Sequence, residues 1–133
     1  MIEDRPPAAG PDAAEFWAGC DAGVLRFQRC AECGELNWFP RSFCRACSSR
    51  NLRWEDGTGR GSVGEATVVN RPMNESFADE VPYVLAMVHL DEGYDMLTRI
   101  VGEGALQVGV GDGVEVRFVR TRGHALPVFE RTP

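Results

Sequence analysis

The chain has 133 residues, 44% of them hydrophobic, and a formal net charge of −6. That length supports one compact domain with a small appendage. All 14 basic residues are arginine, which excludes a Schiff-base lysine, a lysine-anchored PLP cofactor and the lysine-bearing phosphate loop.

Residues 1–11 are rich in Pro and Ala and read as a disordered N-terminus. The opening Met1-Ile2-Glu3-Asp4-Arg5-Pro6-Pro7 has neither the basic region nor the apolar run of a secretory leader. No stretch reaches the length of a membrane span, so a cytoplasmic location is expected. Residues 12–23 predict a short helix, about Ala13 to Ala22. Asp12 and Glu15 would form its capping box and Gly23 its left-handed cap. Phe16 and Trp17 are adjacent, so they cannot both face one narrow core stripe. One or both are expected to pack on the ribbon or on another protein, and two large aromatics on so short a helix suggest an element that docks on a partner. Cys20, four residues after Phe16, reads as a small buried hydrophobe.

Residues 24–56 carry the most specific motif. Cys30, Cys33, Cys44 and Cys47 form two CxxC pairs across a ten-residue loop, Gly34 to Phe43. Two facing knuckles of this kind present four thiolates to a tetrahedral zinc ion. The loop is shorter than the usual span of about 15–20 residues, but only loop length changes, not the geometry of each pair. Two disulfides are the alternative; they would need an oxidising compartment and leave an odd fifth cysteine. Four sulfur ligands leave no open position for water or substrate, so the zinc is expected to be structural. Val24 to Arg29 alternates as a strand into the first knuckle, Leu36 to Phe39 would return, and Leu52 to Trp54 would close the ribbon. Trp38, Phe39, Phe43 and Trp54 are expected to form its miniature core. From Val24 to Trp54 six arginines stand against two acids, which suggests a basic knob on an acidic body.

Residues 57–133 read as strands: Ser62 to Asn70, Tyr83 to Leu90, Asp95 to Val101, Val114 to Arg120 and Leu126 to Phe129, with Asp91-Glu92-Gly93 as a hairpin turn. Five strands with glycine corners suit a small barrel of the OB type; a sandwich competes. The chain is therefore mainly β. Gly59 to Gly64 spells GxGxxG, but it precedes a strand, whereas the dinucleotide fingerprint follows one. Only His89 and His124 are histidines, and His89 is expected as a hydrogen-bonded core residue. No GxSxG elbow is present. Arg71 to Pro82 is the longest irregular stretch, and a loop of that length is either functional or mobile.

The order of these parts resembles one bacterial and archaeal family: acyl-CoA-associated proteins with a rubredoxin-like zinc ribbon plus an OB-fold, long described as a domain of unknown function. The likeness rests on Phe16-Trp17, the four cysteines, Pro40-Arg41, Trp54, Gly59 to Val63, Thr67 to Val69, Arg71-Pro72, Pro82 to Ala86 and Leu90 to Gly93. It spans roughly residues 15 to 130. Arg45, Asn70 and Gly64 to Ala66 depart from the family pattern.

The resemblance implies a non-catalytic auxiliary subunit, bound to a thiolase-fold enzyme (a thiolase, an acyltransferase or a side-chain-cleaving aldolase) that acts on CoA thioesters in lipid and sterol metabolism. A hotdog-fold hydratase is a further implied partner. A CoA thioester would be a ligand shared with the catalytic subunit. CoA calls for guanidinium forks on its phosphates and an aromatic face for its adenine; Arg71, Phe77 and Tyr83 are the candidate contacts. The alternative is a nucleic-acid-binding module, which zinc ribbons and OB barrels also form; the acidic balance opposes it.

Overall fold

The computed structural model describes residues 11–72, 75, 78–120 and 123–133. A 3-10 turn, Pro11–Ala13, leads into helix α1, Ala14–Asp21. The Asp12–Glu15 capping box is not formed: Ala13 is the N-cap and makes no side-chain cap bond. Glu15 is drawn instead to Arg26, 2.6 Å away. The other end follows the sequence. Gly23 takes φ +83°, its N–H bonds to Cys20 O, and the Val24 N–H reaches back to Gly19 O at 2.8 Å. These are the two bonds of a Schellman cap, and a glycine adopts that backbone without steric cost.

Three strands make the ribbon: β1 (Arg26–Cys30), β2 (Leu36–Asn37) and β3 (Leu52–Asp56), in the order β2-β1-β3. Strand β2 stops at Asn37, and the aromatics after it do not form a separate core. Phe39 is 70% exposed and Phe43 44%, whereas Trp38 and Trp54 pack against the buried cluster shared with the barrel. A ribbon this small has too few inward positions to enclose four large rings, so its interior merges with the neighbouring one.

The barrel contains β4 (Arg60–Val69), β5 (Tyr83–Leu90), β6 (Asp95–Val101), β7 (Gly113–Arg120) and β8 (Ala125–Arg131). It closes in the order β4-β5-β6-β8-β7. Every pairing is antiparallel except β6–β8, which meet in parallel at Ile100↔Phe129 and Val101↔Glu130. Closure excludes the sandwich and gives the OB topology. Alternation along β5 and β6 turns Val84, Ala86, Val88, Leu90, Met96, Thr98 and Ile100 inward, where Val63, Val114, Ala125 and Phe129 meet them. His89 falls on the outer face, not in the core; it is exposed and hydrogen-bonded to Asp95, its register partner across the β5–β6 hairpin.

Two of the GxGxxG glycines serve this closure. A side chain on Gly61 would lie 2.4 Å from the His89 carbonyl oxygen, and one on Gly59 would lie 2.4 Å from Val116 Cγ1. Strand β4 is squeezed between β5 and β7 there, and only glycine fits.

Helix, ribbon and barrel are joined by a run of aromatic rings. Phe16 contacts Trp38 (5.3 Å between centroids), Trp38 contacts Tyr94 (5.0 Å), and Tyr94 contacts Phe27 (5.7 Å). Asp21 pins the helix end to β8. Its Oδ1 accepts the Ala125 N–H (2.7 Å) and Arg120 Nη1 (3.0 Å), and its Oδ2 meets His124 Nδ1 at 2.8 Å. The His124 bond and the Ala125 amide hold this carboxyl below its ordinary range. Cys20 is 1% exposed; burial, helped by the neighbouring Asp21 charge, pushes its thiol up to about 12. It is a core residue. Among the described residues no helix is long and apolar enough to cross a membrane.

Candidate metal centre and partner surface

The two knuckles are built alike. In the first, the Gly34 N–H bonds to Cys30 O and the Cys30 N–H to Glu35 O, both at 2.9 Å. In the second, the Ser48 N–H bonds to Cys44 O (2.9 Å) and the Cys44 N–H to Ser49 O (2.7 Å). The residue after each second cysteine must take a left-handed conformation, φ +78° at Gly34 and φ +65° at Ser48. The turn brings both sulfurs of a pair to the same side.

All four Sγ atoms lie within 4.8 Å of one another. Cys30–Cys47 and Cys33–Cys44 each stand 3.6 Å apart. A disulfide requires about 2.05 Å, so these are free thiols. Zinc–sulfur bonds of about 2.3 Å in a tetrahedron put neighbouring sulfurs about 3.8 Å apart. The donor set and its spacing fit a structural zinc ion.

The surrounding groups favour the thiolate at Cys44 and Cys30, whereas Cys33 and Cys47 are held above the ordinary thiol value. Cys33 N–H points at Cys30 Sγ (3.5 Å), Ala46 N–H at Cys44 Sγ (3.3 Å), and the Asn37 amide at Cys44 Sγ (3.5 Å). The Asn37 donor, with the Cys47 and Ala46 amides, draws Cys44 down to about 6; the Cys33 amide draws Cys30 down as well. Such donors stabilise the charged form of a thiol.

Two polar residues that sequence reasoning passed over support this centre. Asn37 is fully enclosed; its amide also bonds Glu35 O (3.1 Å) and its Oδ1 accepts the Arg45 N–H (2.8 Å). It ties one knuckle to the other. Gln28, 4% exposed, holds the backbone of Arg41 from both sides, Nε2 to Arg41 O and Arg41 N–H to Oε1, each at 2.9 Å. That clasp fixes the strap between β2 and the second knuckle. Both residues sit at inward positions of short strands, and a polar residue at such a position was the available signal.

Three of the six ribbon arginines are paired with carboxylates. Arg26 pairs with Glu15 and Asp56, Arg29 with Glu55, and Arg45 with Glu35; Arg41 lies over the Phe43 ring. Arginines engaged with carboxylates are poorly placed to release counterions from a nucleic acid.

The expected surface residues fare differently. Phe16 is 5% exposed and is spent on the junction of helix, ribbon and barrel, so its place at a partner surface is corrected; an eight-residue helix has to bury one of its two aromatics. Trp17 is half-buried, edge-on to Phe16 and stacked on His124. It lines a groove of about 390 Å³ with Leu85, Leu97, Arg99, Leu126 and Pro127. Tyr83 is 8% exposed and cannot offer adenine a ring face, because the Arg99 guanidinium covers it at 3.9 Å. Arg99 in turn pairs with Glu80 at 2.5 Å, both side chains mostly buried. This triad anchors the end of the 71–82 loop, and Arg99 had no sequence signal. Arg71 is exposed. Phe77 lies outside the described residues.

Residues 17–53 match the family description "ChsH2, rubredoxin-like zinc ribbon domain", and residues 54–119 match "ChsH2, C-terminal OB-fold domain". The chain belongs to the ChsH2/DUF35 family. Among solved structures, "Ltp2-ChsH2(DUF35) aldolase" is similar with a TM-score of 0.84 and 31% identity, over 95% of this chain and 98% of that one. A "DUF35 domain-containing scaffold protein" of Methanothermobacter thermautotrophicus is 33% identical over 99 residues, 74% of each chain. A "Probable enoyl-CoA hydratase alpha subunit" of Thermomonospora curvata is 32% identical over 127 residues, 94% of this chain but 39% of that protein. The "3-oxo-4,17-pregnadiene-20-carboxyl-CoA hydratase alpha subunit" of Mycobacterium tuberculosis is 32% identical over 113 residues. This chain spans 35% of that protein's length.

Proposed function

We propose that this chain is a non-catalytic auxiliary subunit that binds a thiolase-fold enzyme acting on CoA thioesters in lipid or sterol metabolism. The observation that carries this reading is the end-to-end similarity to the chain from the Ltp2–ChsH2(DUF35) aldolase structure. The local chemistry is consistent with it. The one metal-type cluster among the described residues is a closed set of four cysteines, which holds structure and leaves no coordination site for a reactant. His89 and His124 are each engaged with an aspartate.

On this reading the barrel braces the catalytic subunit or borders its acyl-CoA entrance. Trp17 is the aromatic available to a partner, and Arg71 the cation available to a CoA phosphate. A thiolase, an acyltransferase and a side-chain-cleaving aldolase are the candidate partners, with a hotdog-fold hydratase as a further one. The test is co-expression with a thiolase-fold enzyme of the same organism, then pull-down and a CoA-thioester assay of each chain alone and together. A stable complex with activity dependent on both chains is expected. Turnover by this chain alone, or no complex with a folded enzyme, would overturn the reading.

A further inference from the structure

Beyond Val63, strand β4 has a neighbour on one side only. Strand β7 pairs with it at Arg60↔Glu115, Gly61↔Val114 and Ser62↔Gly113. That seam ends with the Val63 N–H on Asp112 O (2.9 Å) and the Gly111 N–H on Val63 O (2.8 Å). On the other side β5 accompanies β4 to Val69↔Tyr83. Residues 64–69 are thus a free sheet edge among the described residues. Gly64, Glu65, Ala66, Thr67 and Val68 are all exposed.

Alternate residues of an antiparallel strand direct their N–H and C=O to each side, so this overhang carries backbone groups that only another extended chain pairs fully. Edges are ordinarily guarded by charges, prolines or bulges. Here the shift at Val63/Glu65 and the one carboxylate of Glu65 are the guards, and Thr67-Val68-Val69 is a strongly β-favouring run without either. Beside the edge lies a hollow of about 210 Å³ on the outer face of β4, β5 and β6, lined by Glu65, Thr67, Leu85, Met87 and Leu97 among others. Leu97 is 65% exposed. Glu65 forms no ion pair among the described residues.

We propose that this edge receives an extended strand of the partner enzyme by β-strand addition. The inference rests on the auxiliary-subunit reading and assigns the surface that the partner uses. Main-chain bonds to residues 64–69 supply the pairing, and the flanking hollow supplies selectivity. The incoming strand places an aliphatic or aromatic side chain against Leu85, Met87 and Leu97 and a cationic one opposite Glu65. A second copy of this chain fits less well. Each copy carries −6, and the segment 64–69 that would self-pair contains Glu65 and no cation.

Amide exchange of the zinc-loaded full chain tests this, measured alone at two concentrations and in complex with that thiolase-fold enzyme. Alternate amides within 64–69 should slow by roughly tenfold or more in the complex. Glu65→Arg and Leu97→Asp, both on exposed side chains, should each weaken the complex by roughly tenfold without changing zinc stoichiometry or Tm. A complex that forms while 64–69 exchanges as in the free chain overturns the edge assignment and leaves the partner reading standing. Failure to form any complex overturns both. Slowing that grows with the concentration of this chain alone identifies a second copy and rejects the enzyme strand as occupant.

Discussion

Replacing Asn37 by alanine should loosen zinc while leaving the barrel folded. The side chain is wholly enclosed and makes three contacts: to Glu35 O, to Cys44 Sγ and from the Arg45 N–H. Its loss removes one donor from a thiolate and takes a partner from two backbone groups. Each buried group left unpaired costs about 1–3 kcal/mol. Outer-shell partners of a metal ligand are worth about 10–100-fold in affinity, or about 1.4–2.8 kcal/mol at 1.4 kcal/mol per decade. Asn37→Asp should be worse still. It keeps the acceptor for Arg45 but turns the donor facing Cys44 into a second anion, beside a site whose four thiolates already outweigh the metal charge. Arg45→Ala is the control, because its exposed pair with Glu35 is worth at most about 1 kcal/mol. The assay is zinc transfer to a competing chelator of known affinity, with far-UV circular dichroism to follow the barrel. Zinc affinity within about twofold of wild type, with the aspartate no worse than the alanine, would refute the role given to Asn37.

Phe16→Ala should cost about 3–5 kcal/mol in urea unfolding, since the ring bridges helix, ribbon and barrel; Trp17→Ala should cost under about 2 kcal/mol and weaken partner binding instead. Asp21→Asn should destabilise the chain at neutral pH. Because the folded carboxyl is held below its ordinary value of 3.8, the wild-type advantage is full above that value and shrinks as pH falls through the depressed one; chemical denaturation of both proteins from pH 7 down to about 2 checks the sign. Ser48→Gly should raise stability by up to about 1 kcal/mol, by relieving the left-handed serine that the second knuckle demands, and a lower Tm would contradict the strain at that turn.

The strands were legible because their signals are local. Tyr83–Leu90 and Asp95–Val101 stand at their expected bounds, set by apolar periodicity and the Asp91-Glu92-Gly93 turn. The knuckles were legible for the same reason: CxxC spacing fixes the turn geometry whatever surrounds it. The N-cap of α1 was not, because a capping box competes with tertiary partners. Arg26 on β1 offers Glu15 a charged bond at 2.6 Å, which a backbone amide does not match. His89 was placed inside by its apolar neighbours. The phase of β5 is set by Val84, Ala86, Val88 and Leu90, and the face left to His89 is the outer one.

Electrostatics gave the least reliable sequence signal, and the reason is geometric. Counting charge from Val24 to Trp54 yields a basic ribbon, yet Glu15, Glu55 and Asp56, which neutralise Arg26 and Arg29, lie just outside that window. Strand β3 pairs with β1 over Arg26↔Asp56 to Cys30↔Leu52, so the end of the ribbon folds its acids directly onto its first arginines. A window boundary drawn through that pairing separates Arg26 and Arg29 from their partners. Glu65 keeps no ion pair among the described residues, and Arg71 and Glu65 stand on or just past the exposed half of β4.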